Sequence, residues 1–175
     1  MYNWKRFWCI NTGNIRLDYG GFLEDPESEY GHNPDVVPFN SISHIPCLVL
    51  LGEPGIGKTT AINQAFNELN TELEISEDDC LFFNLGDFDS NQDLLNGIFQ
   101  SDKFIKWLNG NYKLHLFLDS LDEGLLSVTT IIRFLCKHID NVPVERLYFR
   151  ITCRTSVWLE SISFEQKLKE KWKLS

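Results

Sequence analysis

Residues 47–60 read CLVLLGEPGIGKTT, a short apolar run followed by a turn rich in glycine. The run Cys47–Leu51 has the length and the flanking turn of a buried strand. The residues that follow match the pattern G-x-x-x-x-G-K-[S/T], and a helical stretch begins near Lys58. A strand, a glycine-rich turn and a helix in this order predict a loop that binds phosphate groups; a glycine-rich turn without a ligand is the alternative.

The residue types in this loop suit a phosphate group for separate physical reasons. Glycines at positions 52, 55 and 57 allow backbone conformations that other residues avoid, so that amide N–H groups can point into one concavity. The start of the helix adds partial positive charge. We expect Lys58 to reach the β- and γ-phosphates of a nucleotide and the hydroxyl of Thr59 to bind Mg²⁺. The predicted nucleotide-binding residues are Gly52, Glu53, Pro54, Gly55, Ile56, Gly57, Lys58, Thr59 and Thr60.

The second motif, residues 114–124, reads LHLFLDSLDEG and places acidic residues directly after an apolar strand. Asp119, at the end of the strand, is the predicted Mg²⁺ ligand and acts through water, because Mg²⁺ keeps much of its hydration shell. Asp122 and Glu123 follow at a distance from which a carboxylate can orient or deprotonate an attacking water. Without the first motif, the same acids would be interpreted as a solvated turn or a helix cap.

The third motif, residues 146–154, reads RLYFRITCR, a strand that ends in polar residues and an arginine. Sheets of alternating α/β proteins bind their ligands at the carboxyl ends of the strands. We therefore expect Arg154 to sense or stabilise the γ-phosphate, because a guanidinium can bind phosphate oxygens in a fork. A surface arginine in a salt bridge is the alternative for this residue.

Short apolar runs alternate with helical patterns from residue 45 onward. The predicted strands are residues 47–51, 81–85, 114–118 and 146–151, and the predicted helices are residues 59–69, 93–108, 126–139 and 158–172. Strand and helix in alternation predict an α/β fold in which a parallel sheet is covered by helices on both faces.

Residues 1–45 differ in composition from the rest of the chain and predict an extension that packs on the domain at residues 46–175. Eight aromatic residues lie in this segment, together with the pair Gly20-Gly21. Residues 15–23 could form a small hairpin around these glycines, and residues 24–40 have the composition of a loop. The aromatic rings predict packing on the following domain, and a binding surface is the alternative.

The charge balance excludes some classes of protein. The chain has 175 residues, with 16 Lys and Arg against 25 Asp and Glu, and a net charge of -9. Indiscriminate nucleic-acid binding needs the opposite balance. No apolar run approaches the ~20 residues of a membrane helix, and residues 1–10 lack the apolar segment of a signal peptide. The five cysteines lack metal-binding spacing, so that we expect reduced thiols in a cytoplasmic protein.

The three motifs GEPGIGKTT, LHLFLDSLDEG and RITCRTS together resemble the NACHT branch of the STAND class of P-loop NTPases, over roughly residues 45–160. In that branch the second motif usually ends D-G-L-D-E and the third T-S-R-P. Here Ser120 replaces the glycine, and Cys153 and Thr155 replace the serine and the proline. These substitutions leave the charged positions of the motifs intact.

The resemblance implies a fold, a ligand and a set of roles. The fold is the three-layer sandwich of ASCE-type P-loop NTPases, and the ligands are ATP or ADP with Mg²⁺. Asp119 lines up with the Mg²⁺ ligand, Asp122 and Glu123 with the hydrolytic pair, and Arg154 with the sensor arginine. Similar bacterial proteins act in antiviral defence, where recognition of a phage component drives ATP-dependent assembly. The resemblance thus implies a homo-oligomer in the ATP-bound state.

One departure from the family concerns the sheet. In the family a fifth strand pairs beside the strand of the phosphate loop, and further helical regions follow, whereas this chain reaches Ser175 soon after its fourth strand. We expect a sheet with four of the usual five strands and with residues 47–51 at its edge, where an apolar strand invites association. A fragment, a truncated gene product and one half of a split protein all fit, with a protein partner or a missing C-terminal region to complete the fold. The N-terminal segment could cover this edge instead.

Three functions remain in competition at this stage. The leading hypothesis is a switch module that binds ATP and Mg²⁺, hydrolyses ATP slowly and presents different surfaces in its two states. A small phosphotransferase would need an acceptor pocket and an arginine-rich lid segment, and the sequence contains no such segment. A non-catalytic interaction fragment is the third hypothesis.

Overall fold

The computed structural model describes residues 6–10, 35–73, 76–159 and 161–174. The chain divides into two compact units, Met1–Ile45 and Pro46–Ser175. In the first unit, strand β1 (Phe7–Cys9) pairs antiparallel with strand β2 (Val36–Pro38), and helix α1 (Phe39–Ile42) follows.

The first unit corrects one prediction and leaves another outside the described residues. The loop predicted for residues 24–40 is wrong at its end, where residues 36–40 belong to β2 and α1. Val36 is buried and pairs with Cys9, a partner that lies far away in the sequence and that local composition does not reveal. The predicted hairpin at residues 15–23 lies outside the described residues, and the packing of this extension on the second unit stays a prediction.

A parallel sheet forms the centre of the second unit. Its strands are β3 (Cys47–Leu51), β4 (Asp79–Asn84), β5 (Leu114–Asp119) and β6 (Leu147–Cys153). The helices described in this unit are α2 (Lys58–Glu72), α3 (Asn91–Leu94), α4 (Asp102–Asn109), α5 (Val128–Ile139), α6 (Thr155–Trp158) and α7 (Ile162–Trp172). Short 3-10 turns occupy Leu85–Asp87 and Val144–Arg146, and a π-helical turn occupies Leu95–Phe99. The predicted α/β fold is confirmed.

The strand order positions the motifs. The order across the sheet is β3-β6-β5-β4, with all neighbours parallel. The strand that precedes the glycine-rich turn is therefore an edge strand of this sheet, and its neighbour is β6. Because Leu51 pairs with Cys153 and Leu118 with Ile151, the three strands that carry the motifs end side by side.

Apolar side chains alternate between the two faces of the sheet. On β5, Leu114, Leu116 and Leu118 belong to the larger core cluster, which also receives residues from α4, α5 and α7. Phe117 points to the opposite face and belongs with Ile62 of α2 to a smaller cluster. Burial of both faces explains why β5 is an almost continuous apolar run.

Two predicted helices are each interrupted. The helix predicted for residues 93–108 is divided into α3, the π-helical turn and α4, because Ser101 caps the start of α4 by accepting a hydrogen bond from the Phe104 amide. The helix predicted for residues 158–172 is divided into α6 and α7 around Ser161, whose hydroxyl donates to the Val157 carbonyl. In both places a serine provides a local partner for backbone groups, which competes with a continuous helix.

A matched pair of substitutions tests the core. Ile131 of α5 is 0% exposed, whereas Ile105 of α4 is 43% exposed. Ile131→Ala should lower the free energy of unfolding by about 2–5 kcal/mol, because the core cannot fully close the cavity. Ile105→Ala should change it by no more than about 0.5 kcal/mol. Urea unfolding followed by circular dichroism measures both, and equal losses would contradict this description of the core.

Candidate functional site

The loop after β3 has the backbone conformation that its glycines predict. Gly55 has φ +80° and Gly57 has φ +91°, values that residues with a Cβ rarely adopt. Gly57 immediately precedes α2, and its carbonyl accepts the Ala61 amide at 3.0 Å. The amides of the first turn of α2 have no partner within the helix, so that this end of the helix can bind an anion.

Lys58 folds back over the loop that precedes it. Its Nζ donates to the carbonyl oxygen of Gly52 at 2.6 Å and to that of Glu53 at 3.1 Å. These two bonds hold the ammonium group close to the turn and close the loop on itself. A phosphate that binds here would have to compete with the two carbonyl oxygens for the Lys58 ammonium.

A cavity of about 240 Å³ lies at the ends of the strands. It brings together residues from all three motifs, although they are far apart in the sequence. The residues that line it are Pro54, Gly55, Gly57, Lys58, Thr59, Thr60, Ser120, Asp122, Glu123 and Thr152.

The remaining predicted residues lie beside this cavity and do not line it. Gly52, Glu53 and Ile56 belong to the loop, and the Ile56 side chain is 54% exposed. Asp119 is buried at the end of β5, next to the cavity-lining Ser120. Arg154 follows β6 and contacts two of the acids that line the cavity.

Asp119 is held by a buried network at the ends of β5 and β6. Thr152 donates a hydrogen bond from its hydroxyl to Oδ1 of Asp119, and both side chains are buried. The same hydroxyl accepts the Ser120 amide at 2.9 Å, and the Thr152 carbonyl accepts the Leu121 amide at 3.1 Å. Ser120 has φ +59°, so that the chain turns sharply after Asp119. This network fixes both the carboxylate and the turn that follows it.

Arg154 forms three contacts with Asp122 and Glu123 of the second motif. Its Nε lies 2.6 Å from Oδ2 of Asp122, and its amide donates to Oδ1 of the same carboxylate at 3.1 Å. A guanidinium nitrogen also lies 3.5 Å from Glu123. The Asp122 side chain is 3% exposed, whereas that of Glu123 is 55% exposed. The salt bridge that the sequence analysis gives as the alternative role of Arg154 is therefore present in the structure.

The cysteine beside this ion pair carries no charge at neutral pH. Burial, together with the neighbouring charge of Asp122, raises the pKa of the Cys153 thiol to about 12. A protonated thiol is a weak nucleophile, so that Cys153 is a packing residue. All five cysteines of the chain are free.

Two residues of the site were missed at the level of sequence. Thr152 and Ser120 line the cavity and share one hydrogen bond, but no role was predicted for either. A signal was present, because Thr152 is a polar residue near the end of an otherwise apolar strand. Its significance depends on the β5–β6 pairing, which the sequence pattern does not specify.

Comparison with known proteins identifies part of the chain. Residues 42–102 match the family model described as an AAA domain. This segment is similar to AAA-type P-loop NTPase domains. The match contains β3, α2, β4 and α3, and it ends before the second and third motifs. Neither the curated proteins nor the solved structures that were searched gave a match to the chain.

The AAA domain implies nucleotide binding, typically with Mg²⁺. The loop fits such a ligand, because two glycines at positive φ and the start of α2 present backbone amides beside Lys58 and Thr59. The match does not extend to the NACHT branch, and that finer resemblance stays a prediction. In the described residues, no helix is long and apolar enough to cross a membrane.

Substitution of Thr152 tests the buried network. Thr152→Val removes the hydroxyl and leaves Asp119 without its donor and the Ser120 amide without its acceptor. Each buried group without a partner costs about 1–3 kcal/mol of folding free energy. Thr152→Ser keeps the hydroxyl and loses a methyl group, at about 1 kcal/mol. Thermal unfolding should therefore rank the Val variant below the Ser variant, and the reverse order would show that the methyl group matters more.

Proposed function

We propose that the chain binds ATP with Mg²⁺ at the cavity beside the P-loop and hydrolyses ATP slowly. The observation that carries this proposal is the convergence of Lys58 and Thr59 with Asp122 and Glu123 on one cavity of about 240 Å³. Cationic, hydroxyl and carboxylate groups in one concavity are what binding and hydrolysis of a nucleoside triphosphate require.

The P-loop residues have the binding role in this proposal. The backbone N–H groups from Gly52 to Thr60, except at Pro54, donate to the phosphate oxygens, and Lys58 exchanges its two carbonyl partners for phosphate oxygens. The Thr59 hydroxyl and the Asp119 carboxylate would hold Mg²⁺, which neutralises phosphate charge when it is bound. Thr152 donates to Oδ1 of Asp119 and holds this carboxylate at the end of β5, where it would accept a hydrogen bond from a water of the ion.

The two acids after β5 receive different roles. Glu123 is exposed and has a single 3.5 Å contact with Arg154, so that its carboxylate can reach a water molecule and take its proton. Asp122 is buried and holds Arg154 through two contacts, so that it positions the guanidinium. Arg154 would bind the γ-phosphate if that group displaces Glu123 from its second contact.

We place this ATPase in a switch module of the STAND/NACHT type, with a role in antiviral defence. Support comes from the three motifs together, since the charged positions of all three are present. The edge position of β3 is compatible with a protein partner, or with a homo-oligomer in the ATP-bound state, because an edge strand can pair with another chain.

A non-catalytic interaction module is the second candidate. One observation favours it: Lys58 is bound to backbone carbonyls and Arg154 to Asp122, so that both predicted phosphate-binding cations already have partners. In this case the motif residues would stabilise the fold, and added nucleotide would not displace these contacts.

Removal of the P-loop lysine separates the two candidates. Lys58→Ala should abolish ATP binding, since it removes the cation that faces the phosphates, and Lys106→Ala, on the exposed face of α4, should leave binding unchanged. The measurement is the nucleotide released on denaturing the purified protein, followed by calorimetric titration with Mg-ATP. If Lys58→Ala binds ATP as tightly as the parent, the site assignment is wrong.

The assignment of the base is tested by a second variant. Glu123→Gln should bind Mg-ATP as the parent does and hydrolyse it about 10²–10⁴-fold more slowly, because the amide cannot accept the proton of water. Phosphate release under single-turnover conditions measures the rate. Glu145→Gln, at the opposite end of β6, is the matched control. An unchanged rate in Glu123→Gln would exclude this residue as the base.

A further inference from the structure

A second cavity, of about 480 Å³, lies between the α3 segment and α5. It shares no lining residue with the P-loop cavity, so that the two sites are separate. The residues of this cavity that matter here are Gln92, Leu95, Arg133, Phe134, Lys137 and His138. Its volume lies in the range of sites that bind small molecules.

The charged groups of this second cavity all have one sign. Arg133 and Lys137 lie one helical turn apart on α5, and no Asp or Glu lines the cavity, although the whole chain has a net charge of -9. Neither cation takes part in any of the ion pairs formed within the described residues. Surface cations are commonly solvated. Two cations in one cavity that no carboxylate lines, however, favour the binding of an anion there.

The inner wall of the cavity is apolar and ordered by ring contacts. The Phe134 and His138 rings lie with centroids 4.2 Å apart, and His138 stacks on Phe99 at 4.5 Å. His138 Nδ1 lies 2.8 Å from the Phe134 carbonyl oxygen, which can only accept, so that this nitrogen carries the hydrogen. These contacts fix an aromatic surface next to the cations.

The opposite wall begins at the π-helical turn. Leu95 lines the cavity, and its carbonyl accepts the Gln100 amide at 2.8 Å, which closes the wide turn. π-Helical turns are rare and are frequent at functional sites. Leu95 and Phe134 both line the cavity, so that this turn and α5 each contribute apolar surface to it.

We propose that this cavity binds a phosphate monoester that carries a planar ring. The phosphate is bound by Arg133 and Lys137, since a guanidinium and an ammonium on one helix face match a dianion. The ring lies against Leu95 and Phe134. The same chemistry occurs in a free nucleotide and in a phosphorylated aryl side chain, and the test distinguishes these two sources.

The test is a titration of the full ¹⁵N-labelled chain followed by amide NMR shifts. The probes are AMP, phenyl phosphate and inorganic phosphate. AMP, phenyl phosphate or both should shift the amides of residues 91–95 and 130–138, with inorganic phosphate clearly weaker. Because each shift is assigned to a residue, shifts at residues 52–60 report binding at the P-loop independently of the second cavity. Failure of one proposal is therefore distinguishable from failure of the other.

Variants decide whether the cations carry the binding. Arg133→Gln and Lys137→Gln should each lower the affinity for the probe by about tenfold or more, because each removes a charge-assisted hydrogen bond. Lys106→Gln removes one exposed charge from α4 and should have no effect. Both cavity variants replace exposed side chains, and their spectra show directly whether the fold is retained.

Each outcome of the titration has a defined meaning. Tighter binding of AMP supports the cavity as a nucleotide site, and tighter binding of phenyl phosphate supports it as a site for phosphorylated aryl groups. Equal binding of inorganic phosphate overturns the role of the ring. Absence of shifts at residues 91–95 and 130–138, or binding unchanged in both Gln variants, overturns the proposal.

Discussion

The hydroxyl of Thr152 joins the ends of the two central strands and sets the position of the acids at the site. It donates to Asp119 and accepts the Ser120 amide, so that one side chain of β6 holds both the last residue of β5 and the turn after it. Asp122 follows in this turn, and its carboxylate contacts Arg154, which follows β6. Side chains at the ends of β5 and β6 thus link the two strands in addition to their backbone hydrogen bonds. The positions of Asp122 and Arg154 depend on this β5–β6 pairing.

The four cations at the two cavities form two pairs that differ in what a ligand must displace. Lys58 and Arg154 are engaged by groups of the chain itself, so that phosphate binding at the P-loop exchanges one set of partners for another. In the proposed switch, such an exchange would make the affinity for nucleotide depend on the state of the loop. Arg133 and Lys137 take part in none of the ion pairs within the described residues, so that an anion at that cavity would have no such ion pair to displace.

Much of the fold could be predicted because its signals are local. The run Cys47–Leu51 and the glycines after it have the pattern of a strand and a phosphate loop, and the structure places β3 at those residues. The errors occurred where a single side chain decides the path of the chain. Ser101 and Ser161 interrupt apolar periodicity that continues across them, and β2 forms only because β1 provides its partner.

By itself, the sequence determined the alternation of strands and helices and the P-loop, because apolar runs and glycine spacing act over a few residues. It also identified which charged residues follow the strands. Only the tertiary structure decided which of those charges touch. The pairing of Arg154 with Asp122 and the link from Thr152 to Asp119 each join separate segments through the β5–β6 pairing. Hydrogen bonds and ion pairs act over a few ångströms in space, and contacts of that range depend on topology that local sequence patterns do not encode.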